Sequence, residues 1–294
     1  MRFIGNYRSQ WRGVPVPYST FSGSLENKVY YRRNQYDRYL TGTLMLNYDR
    51  QGSLALSSLQ IGIPIGITLP VARNNYLSLS ATPAFGQRAF DSSHWTFDQQ
   101  YIDCMYVEGA PTGENLFRTN LQYFDLSAGL NYHWQAPVNR SKFDLGAGLH
   151  HLNRPNHDFW TLSKDDVRLA SRLSIYGLGV AQLTHNFDLV VEGQYQKQGA
   201  YRELLYGGGV RLLLNAKPYE ELAVQVAGFY RQRYTDAIIW QAEVFWKTWT
   251  LGFSYDVNIS DFSVATDGRG GPEVSLSYRL YKFKSVKNYC PIDY

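Results

Sequence analysis

Three histidines lie close together in the middle of the chain, in the segment LHHLNRPNHD: His150, His151 and His157. Histidine is a frequent zinc ligand, and a zinc site takes further histidine, cysteine or carboxylate ligands at characteristic spacings. Adjacent residues of a strand point to opposite faces, so His150 and His151 would not face the same ion. No cysteine or carboxylate completes a known ligand spacing around them. The sequence therefore predicts no metal site and no cofactor, and gives these histidines a place in a lumen or a loop.

A hydrolytic site is the second chemistry that these residue types allow. Serine hydrolases combine a serine and a histidine with an acidic or amide residue, and His150 is followed closely by Asn153. The chain contains no G-x-S-x-G motif, which presents the nucleophilic serine in α/β-hydrolases. Residues of these three types occur by chance in a chain of 294 residues, so we expect a protein that is not an enzyme.

A third group of residues suits binding rather than catalysis. The segment from residue 88 to residue 120 is long and rich in aromatic side chains. Tyrosine and tryptophan are enriched in the residues that dominate protein interfaces. Such side chains either fold back to plug a lumen or form a protein-binding surface. The candidate partner-binding residues of this loop are Trp95, Phe97, Tyr101, Tyr106 and Phe117.

The elements that must position these residues are strands, and the clearest of them covers residues 249–257. Large apolar residues occupy every second position, and small or polar residues lie between them. Because a strand points successive side chains to opposite faces, this segment has one apolar face and one polar face. Residues 237–246 and 273–280 show the same alternation. The apolar positions of the first segment are Trp249, Leu251, Phe253, Tyr255 and Val257.

Fourteen such strands are predicted, an even number like that of single-chain bacterial outer-membrane barrels. In a soluble sandwich the apolar face would meet a second sheet, whereas in a membrane barrel it meets lipid and the polar face lines the lumen. The predicted fold class is an all-β, transmembrane, antiparallel up-and-down β-barrel of about 14 strands over residues 1–282, followed by a C-terminal periplasmic tail at residues 283–294. The strands are predicted near residues 2–11, 18–26, 40–48, 59–69, 77–87, 121–134, 143–151, 169–183, 187–197, 202–215, 222–231, 237–246, 249–257 and 273–282.

The lengths of the connections favour the membrane barrel. Outer-membrane barrels pair short periplasmic turns with long outer loops. Counted from a periplasmic N-terminus, five of the six even-numbered connections are short, and the three longest, at residues 88–120, 152–168 and 258–272, are all odd-numbered. The exception, at residues 27–39, is explained if the strands extend beyond the bilayer. We also expect a bulge or kink at Pro64, because proline donates no ladder hydrogen bond.

The composition agrees with a membrane barrel. Aromatic residues make up 16% of the chain and charged residues only 18%, and tyrosine and tryptophan suit the boundary between lipid and water. The formal charge of +4 is too small and too scattered for nucleic-acid binding. The chain has no run of eighteen apolar residues, so the sequence predicts no transmembrane helix. The two cysteines, Cys104 and Cys290, are left open between a disulfide and free thiols, and we expect any export leader to be missing or removed.

The polar faces of the predicted strands carry charges of both signs. A lumen lined in this way is either filled with water or plugged by polar contacts between its own side chains. Both interpretations remain open at this point. The residues predicted to point inward include Asp125, Asn131, His133, Asp144, His150, Arg211 and Gln225.

Several stretches occur in a fixed order along the chain: RFIGNYRSQW, PYSTFSGSLE, SLSATPAFGQRAFD, LQYFDLSAGL, LGAGLHHLNRPNHDFW, QGAYRELLYGGG, SYDVNIS, GRGGPEVSLSYRL and the terminal CPIDY. Taken together they resemble the PorP/SprF family of the type IX secretion system of Bacteroidota. The resemblance spans nearly the whole chain. It departs from the family at the front, where a leader and a short mature segment usually precede the first stretch.

The resemblance implies a non-enzymatic barrel in the bacterial outer membrane. Such a barrel is a partner for secreted surface proteins, notably gliding adhesins with a C-terminal signal domain, and contacts the periplasmic parts of the secretion and gliding machinery. The alternative function is a channel for passive uptake of small or hydrophobic solutes. The tail is expected either to be disordered or to contact the machinery. The candidate tail contacts are Lys284, Lys287, Tyr289, Cys290 and Tyr294.

Overall fold

In a computed structural model the chain folds into antiparallel strands joined by turns and loops. The structure describes residues 1–10, 18–32, 35–52, 56–90, 96, 98–102, 105–111, 119–159, 167–215, 220–232, 237–259 and 269–280, with the backbone alone at residues 31, 32, 35–37 and 269. The strands are β1 (Arg2–Gln10), β2 (Tyr18–Arg32), β3 (Gln35–Gln51), β4 (Leu56–Gly62), β5 (Ile65–Ala72), β6 (Asn75–Ala89), β7 (Tyr101–Ile102), β8 (Met105–Tyr106), β9 (Asn120–Gln135), β10 (Lys142–His150), β11 (Arg172–Gln182), β12 (Phe187–Gln198), β13 (Tyr201–Asn215), β14 (Leu222–Gln232), β15 (Ala237–Trp246), β16 (Trp249–Asn258) and β17 (Arg269–Arg279), with a 3₁₀ turn at Asp98–Gln100.

The strands close into a barrel. Successive strands of the wall pair antiparallel, and β1 pairs with β17 over Arg2–Arg8, which removes both edges of the sheet. Segments β4 and β5 are two halves of one barrel strand, because both pair with β3 on one side and with β6 on the other. Segments β7 and β8 form a separate hairpin in the connection between β6 and β9. The barrel therefore has 14 strands, and the predicted fold class is confirmed.

The break between β4 and β5 falls at Ile63 and Pro64, where the kink was predicted. The neighbouring strands still bond to this point. The backbone N–H of Thr43 donates to the carbonyl oxygen of Pro64 at 2.9 Å, and the N–H of Ile63 donates to the carbonyl oxygen of Pro83 at 3.0 Å. Because proline has no N–H, the ladder is interrupted here but the wall stays closed.

The connections sort by length between the two ends of the barrel. At the end we call the turn rim, the connections are residues 33–34, 73–74, 136–141, 183–186, 216–221 and 247–248, all short. At the opposite end, the loop rim, lie the long connections at 90–119, 151–171 and 259–268. The exception predicted at 27–39 is resolved, because β2 continues to Arg32 and β3 begins at Gln35. By the rule for outer-membrane barrels, the turn rim faces the periplasm and the loop rim faces outward.

The outer face of the barrel is apolar and has aromatic residues towards both rims. Many large side chains that point outward are more than a third exposed, up to 62% at Trp240. Residues towards the turn rim include Trp134, Phe187, Trp246 and Trp249, and those towards the loop rim include Tyr7, Tyr48, Tyr206 and Trp240. Two aromatic girdles around an apolar band are typical of barrels that span a bilayer. Within the described ranges, no helix has the length and apolarity that a membrane span requires.

Candidate functional site

A small hairpin stands in the long connection at residues 90–119 of the loop rim. Tyr101 pairs with Tyr106, and Ile102 pairs with Met105. The base of the hairpin is braced by Gln100, whose side chain is 6% exposed and donates from Nε2 to the carbonyl oxygen of Ala110 at 3.2 Å. The backbone N–H of Val107 donates to the carbonyl oxygen of Gln100 at 2.8 Å. The hairpin is thus ordered by its own hydrogen bonds.

The tip of this hairpin exposes a group of large apolar side chains. Met105 is 69% exposed, and the two tyrosine rings lie 5.6 Å apart between centroids. An exposed cluster of apolar and aromatic side chains on an ordered element is typical of an interaction site. We call these residues the hairpin tip: Tyr101, Ile102, Met105, Tyr106 and Val107, each more than two fifths exposed.

The predicted partner-binding residues are partly brought together by this hairpin. Tyr101 and Tyr106 face each other across it. Trp95, Phe97 and Phe117 lie outside the described residues. The sequence reasoning counted aromatic residues only and therefore missed the aliphatic members of the tip. A two-residue strand is too short to show an alternation that would have indicated them.

A second ordered loop, which we call the inner loop, comprises residues 151–159 and 167–171 of the next long connection. Its two halves are joined by a bridge between Asn156 and Arg168 and by a hydrogen bond from the N–H of His157 to the carbonyl oxygen of Val167 at 2.8 Å. This pairing explains why β11 begins at Arg172 rather than at the predicted Leu169. Residues 167–171 belong to the loop.

The side chain of Asn153 fixes the start of the inner loop to strand β9. Its Nδ2 donates to the carbonyl oxygen of Phe124 at 2.7 Å, and its Oδ1 accepts from the N–H of Leu126 at 3.1 Å. Both polar groups of the amide are thereby bonded to backbone. The residue that resembled an orienting group for a hydrolase contacts the strand rather than His150.

A contact between a histidine and a carboxylate ties the inner loop to the wall. Nδ1 of His151 lies 2.9 Å from Oδ2 of Asp125, and the same oxygen accepts from Nε2 of Gln60 at 3.0 Å. Asp125 is only 1% exposed, and among the residues that the structure describes its other carboxylate oxygen has no hydrogen-bond partner. Because His151, Asp125 and Gln60 come from the loop, β9 and β4, this contact links elements far apart in the sequence.

His157 anchors the inner loop from its other side. Nη1 of Arg88 lies 3.3 Å from Nδ1 of His157, whose ring rests on Tyr123 with centroids 4.5 Å apart. Phe159 lies against Phe90 at 4.7 Å between centroids. Shielding from water and the neighbouring Arg88 guanidinium lower the pKa of His157 to about 4. The imidazole is therefore neutral at neutral pH, and Arg88 donates to it.

The three histidines His150, His151 and His157 thus do not form one cluster. The rings of His150 and His151 are 6.4 Å apart, and His151 and His157 bind separate partners. Across the part of the chain that the structure describes, no group of three or more His, Cys, Asp or Glu side chains is arranged to hold a metal ion.

The lumen carries networks of opposite charges, and the residues predicted to point inward lie on this face. Asp256, only 3% exposed, pairs with Arg8 of β1 and with Arg231 of β14, the latter at 3.1 Å. Further towards the turn rim, Arg211 donates to Gln225 at 2.8 Å, and Gln225 donates to Glu243 at 3.0 Å. His133 pairs with Asp144 at 2.7 Å, and Arg140 with Asp188 at 2.9 Å.

Part of the inner wall is nevertheless open to solvent. Tyr176 points inward but is 42% exposed, and its hydroxyl donates to Oδ1 of Asn131 at 2.7 Å. The ring lies flat over Gly146, where an added methyl carbon would be 2.6 Å from its Cζ atom. Tyr123 covers Gly86 in the same way. Because these rings lie along the wall instead of across the barrel, this side of the lumen remains wet, and Ser80 is exposed within it.

Comparison with known proteins identifies the family. A family model described as the type IX secretion system membrane protein PorP/SprF matches residues 1–278. The chain belongs to the PorP/SprF family. Membership in this family, together with the closed barrel and its apolar outer face, places the protein in the bacterial outer membrane and in type IX secretion. The resemblance found in the sequence is confirmed. No curated protein matches the chain in sequence.

Solved structures share the barrel fold at low identity. A FadL homologue of Pseudomonas aeruginosa has a TM-score of 0.52 and 10% identity, covering 95% of this chain and 90% of that one. The toluene transporter TbuX of Ralstonia pickettii has a TM-score of 0.51 and 9% identity, with coverage of 95% and 90%. BamA of Haemophilus ducreyi lacking POTRA domains 1–3 has a TM-score of 0.47 and 10% identity, with coverage of 94% and 70%. At these identities the likeness shows the fold of a bacterial barrel and no more.

The tail remains a prediction. Lys284, Lys287, Tyr289, Cys290 and Tyr294 lie outside the described residues, as does Cys104. The division into a barrel at residues 1–282 and a tail at residues 283–294 therefore stays as it was made from the sequence.

Proposed function

We propose that this PorP/SprF barrel is a non-enzymatic receptor that binds the C-terminal signal domain of a type IX surface protein, a gliding-adhesin-like cargo, and helps to secrete or anchor it. Membership in the family supports a role in type IX secretion. The observation that carries the binding role is the hairpin tip. It offers five large apolar side chains at the loop rim, the side of the barrel on which secreted cargo appears.

The surroundings of the hairpin tip suit binding to a protein. Tyr101 and Tyr106 are aromatic groups with few rotatable bonds, so they lose little entropy when a partner covers them. The buried Gln100 holds the hairpin in one shape before binding. The inner loop stands at the same rim and is anchored through Asp125 and Arg88. The cargo would therefore meet a rim that is already ordered.

The test is a pull-down of cargo on a tagged barrel from its native outer membrane in mild detergent. A Tyr101→Ser and Met105→Ser double variant removes two exposed side chains from the hairpin tip and changes no residue of the barrel strands. Hot-spot side chains contribute about 2 kcal/mol or more, so recovery of the cargo should fall by a factor of ten or more. Tyr201→Ser is the matched control, since Tyr201 is 66% exposed at the loop rim outside the hairpin. Wild-type recovery of cargo on the double variant would contradict the proposal.

The C-terminal tail supplies the proposed contact with the periplasmic machinery. On the topology of the barrel, the chain leaves β17 at the turn rim, which faces the periplasm. Lys284 and Lys287 give the tail a positive charge, and Tyr289, Cys290 and Tyr294 follow them. Deletion of residues 285–294 should leave insertion of the barrel intact and lose the machinery components from the pull-down. Their unchanged recovery would assign the contact to another surface.

A channel for small or hydrophobic solutes is the second candidate. The exposed inner side chains of Tyr176 and Ser80 favour it, because exposed residues on the inner face of the wall leave room for solutes in the lumen. The toluene transporter TbuX has a similar fold, which makes toluene a suitable test solute. Conductance in planar bilayers and toluene uptake into liposomes separate the two functions. A barrel that purifies without cargo and passes ions or toluene is a channel.

A further inference from the structure

A groove of about 420 Å³ lies on the outer face of the wall, where β13, β14, β15 and β16 run side by side. Gly208 and Gly228 are directly opposite each other in the β13–β14 ladder and form the floor. Val210 and Val226 continue the floor one step towards the turn rim. The lining is almost wholly apolar and is completed by Trp240, Ala242, Phe253 and Tyr255.

The groove has no side chain on its β13 side at Gly208, the one residue of the glycine run 207–209 that points outward. Strand β13 approaches β14 so closely that a methyl carbon at Gly207 would lie 2.6 Å from Cα of Phe229. On the outer side, a methyl carbon at Gly208 would lie 2.7 Å from the carbonyl oxygen of Val190. Real contacts of this kind are longer, so no side chain fits at either position. Strand β13 therefore contributes no side chain that could occupy the groove at Gly208.

Aromatic side chains border the groove. Trp240 is opposite Gly228 in the β14–β15 ladder, and its ring lies 3.4 Å from the place of a methyl carbon on that glycine. Tyr206 and Tyr230 form the next pair towards the loop rim, with ring centroids 5.8 Å apart in an edge-to-face arrangement. Trp240 is 62% exposed although its indole covers the floor. The indole therefore packs over Gly228 within the groove, and the tyrosine pair lies beyond the groove on the side of the loop rim.

We propose that this groove holds one acyl chain of an outer-leaflet lipid as a fixed ligand. The groove is continuous with the outward apolar surface that meets the bilayer, where Phe253 and Val226 are each at least half exposed. Acyl chains are the apolar material at that surface. The groove runs from the middle of the wall, at Val226 and Phe253, towards the loop rim, at Trp240 and Tyr255, and therefore lies in the outward half of the barrel.

The groove has the volume of a small-molecule site. A volume of about 420 Å³ is within the range of roughly 300–1,000 Å³ that binds small molecules specifically. No charged side chain lines it, so it recognises the shape of a chain and not a headgroup. This inference rests on the outer-membrane location and not on cargo binding, so the loss of either property leaves the other unchanged.

Native mass spectrometry of the purified barrel tests the proposal. The barrel is delipidated in detergent and titrated with a phosphatidylethanolamine that carries saturated chains. Gly228→Val fills the floor beneath Trp240, whereas Gly42→Val places the same side chain on an outward position of β3 with no heavy atom within 4 Å. We expect the wild type and Gly42→Val to retain one lipid and Gly228→Val to bind it at least tenfold more weakly. Trp240→Ala, which leaves the floor intact, should also weaken retention and serves if Gly228→Val fails to fold.

Three results would overturn the proposal. Equal retention by the wild type, Gly228→Val and Trp240→Ala would show that lipid binds elsewhere. A wild type that retains no lipid would show an empty groove. A wild type that appears at the mass of two copies, reduced to one copy by Gly228→Val, would make the groove an interface between barrels.

Discussion

Replacing Gly209 by alanine should destabilise the barrel. Gly209 points into the lumen, and a methyl carbon there would lie 2.6 Å from Cα of Ala227 and would overlap the carbonyl oxygen of Val226. Both are backbone atoms, so strands β13 and β14 must separate. Added bulk at a packed position costs about 1–3 kcal/mol. The loss of glycine flexibility in the unfolded chain returns about 0.4–1 kcal/mol. We expect a net loss of about 1–2 kcal/mol in the free energy of unfolding.

The measurement is urea-induced unfolding of the refolded barrel in detergent, followed by tryptophan fluorescence. A change in the midpoint without a change in the slope reports stability. The control is Gly42→Ala, where the added methyl carbon has no heavy atom within 4 Å and faces outward. Gly42→Ala should keep or raise the midpoint, since it changes only the flexibility of the chain. If the two variants shift the midpoint equally, β13 and β14 are not as close at the glycine run as the structure shows.

Three further predictions concern the lumen and the inner loop. In the folded state the pKa of His157 is about 4, whereas in the unfolded chain it is about 6.5. Docking of the inner loop should therefore weaken as the pH falls through this window. Proteolysis of the 151–171 connection should then be faster at about pH 4.5 than at neutral pH, and His157→Gln should abolish the difference. Asp256→Asn leaves two arginines without their shared carboxylate and should lower the free energy of unfolding by about 3–5 kcal/mol in the same urea assay; an unchanged midpoint would mean that the pairs contribute nothing. Gly146→Val should displace the ring of Tyr176 and cost about 1–3 kcal/mol, whereas Gly177→Val on the outer face should not, and equal midpoints would place that ring elsewhere.

The barrel was predictable because its physical requirements recur at every strand. Each strand faces lipid on one side and the lumen on the other, so alternation is imposed throughout, and the loop lengths follow from the two sides of the membrane. Even the break at Pro64 has a local cause in the missing N–H. The connection predicted at 27–39 is instead part of strands β2 and β3, which pair up to Arg32 and Gln35. Its polar residues do not alternate with apolar ones, because the end of this ladder lies beyond the apolar band.

The loops could not be predicted in the same way. Alternation assigns Asp125 to the inner face, yet nothing in the spacing indicates that His151 turns back to meet it, because the loop reverses direction at residues with positive φ. The hairpin tip depends on the buried Gln100, a polar residue that sequence patterns place on the surface. Contacts between loops at the mouth of a barrel do not recur at a regular spacing in the sequence. The sequence therefore contains no periodic pattern from which they could be predicted.

The pairing of β1 with β17 also determines when the barrel can finish folding. All other ladders join strands that are near neighbours in the chain, but the bond between Asn6 and Glu273 spans 267 residues, and the pair of Arg8 with Asp256 spans 248. Contacts of such long range form late and slowly. Until β17 arrives, β1 presents an unpaired edge of the kind that recruits strands of other chains. Strand β17 thus completes β1, and a barrel without β17 would have two open edges in place of none.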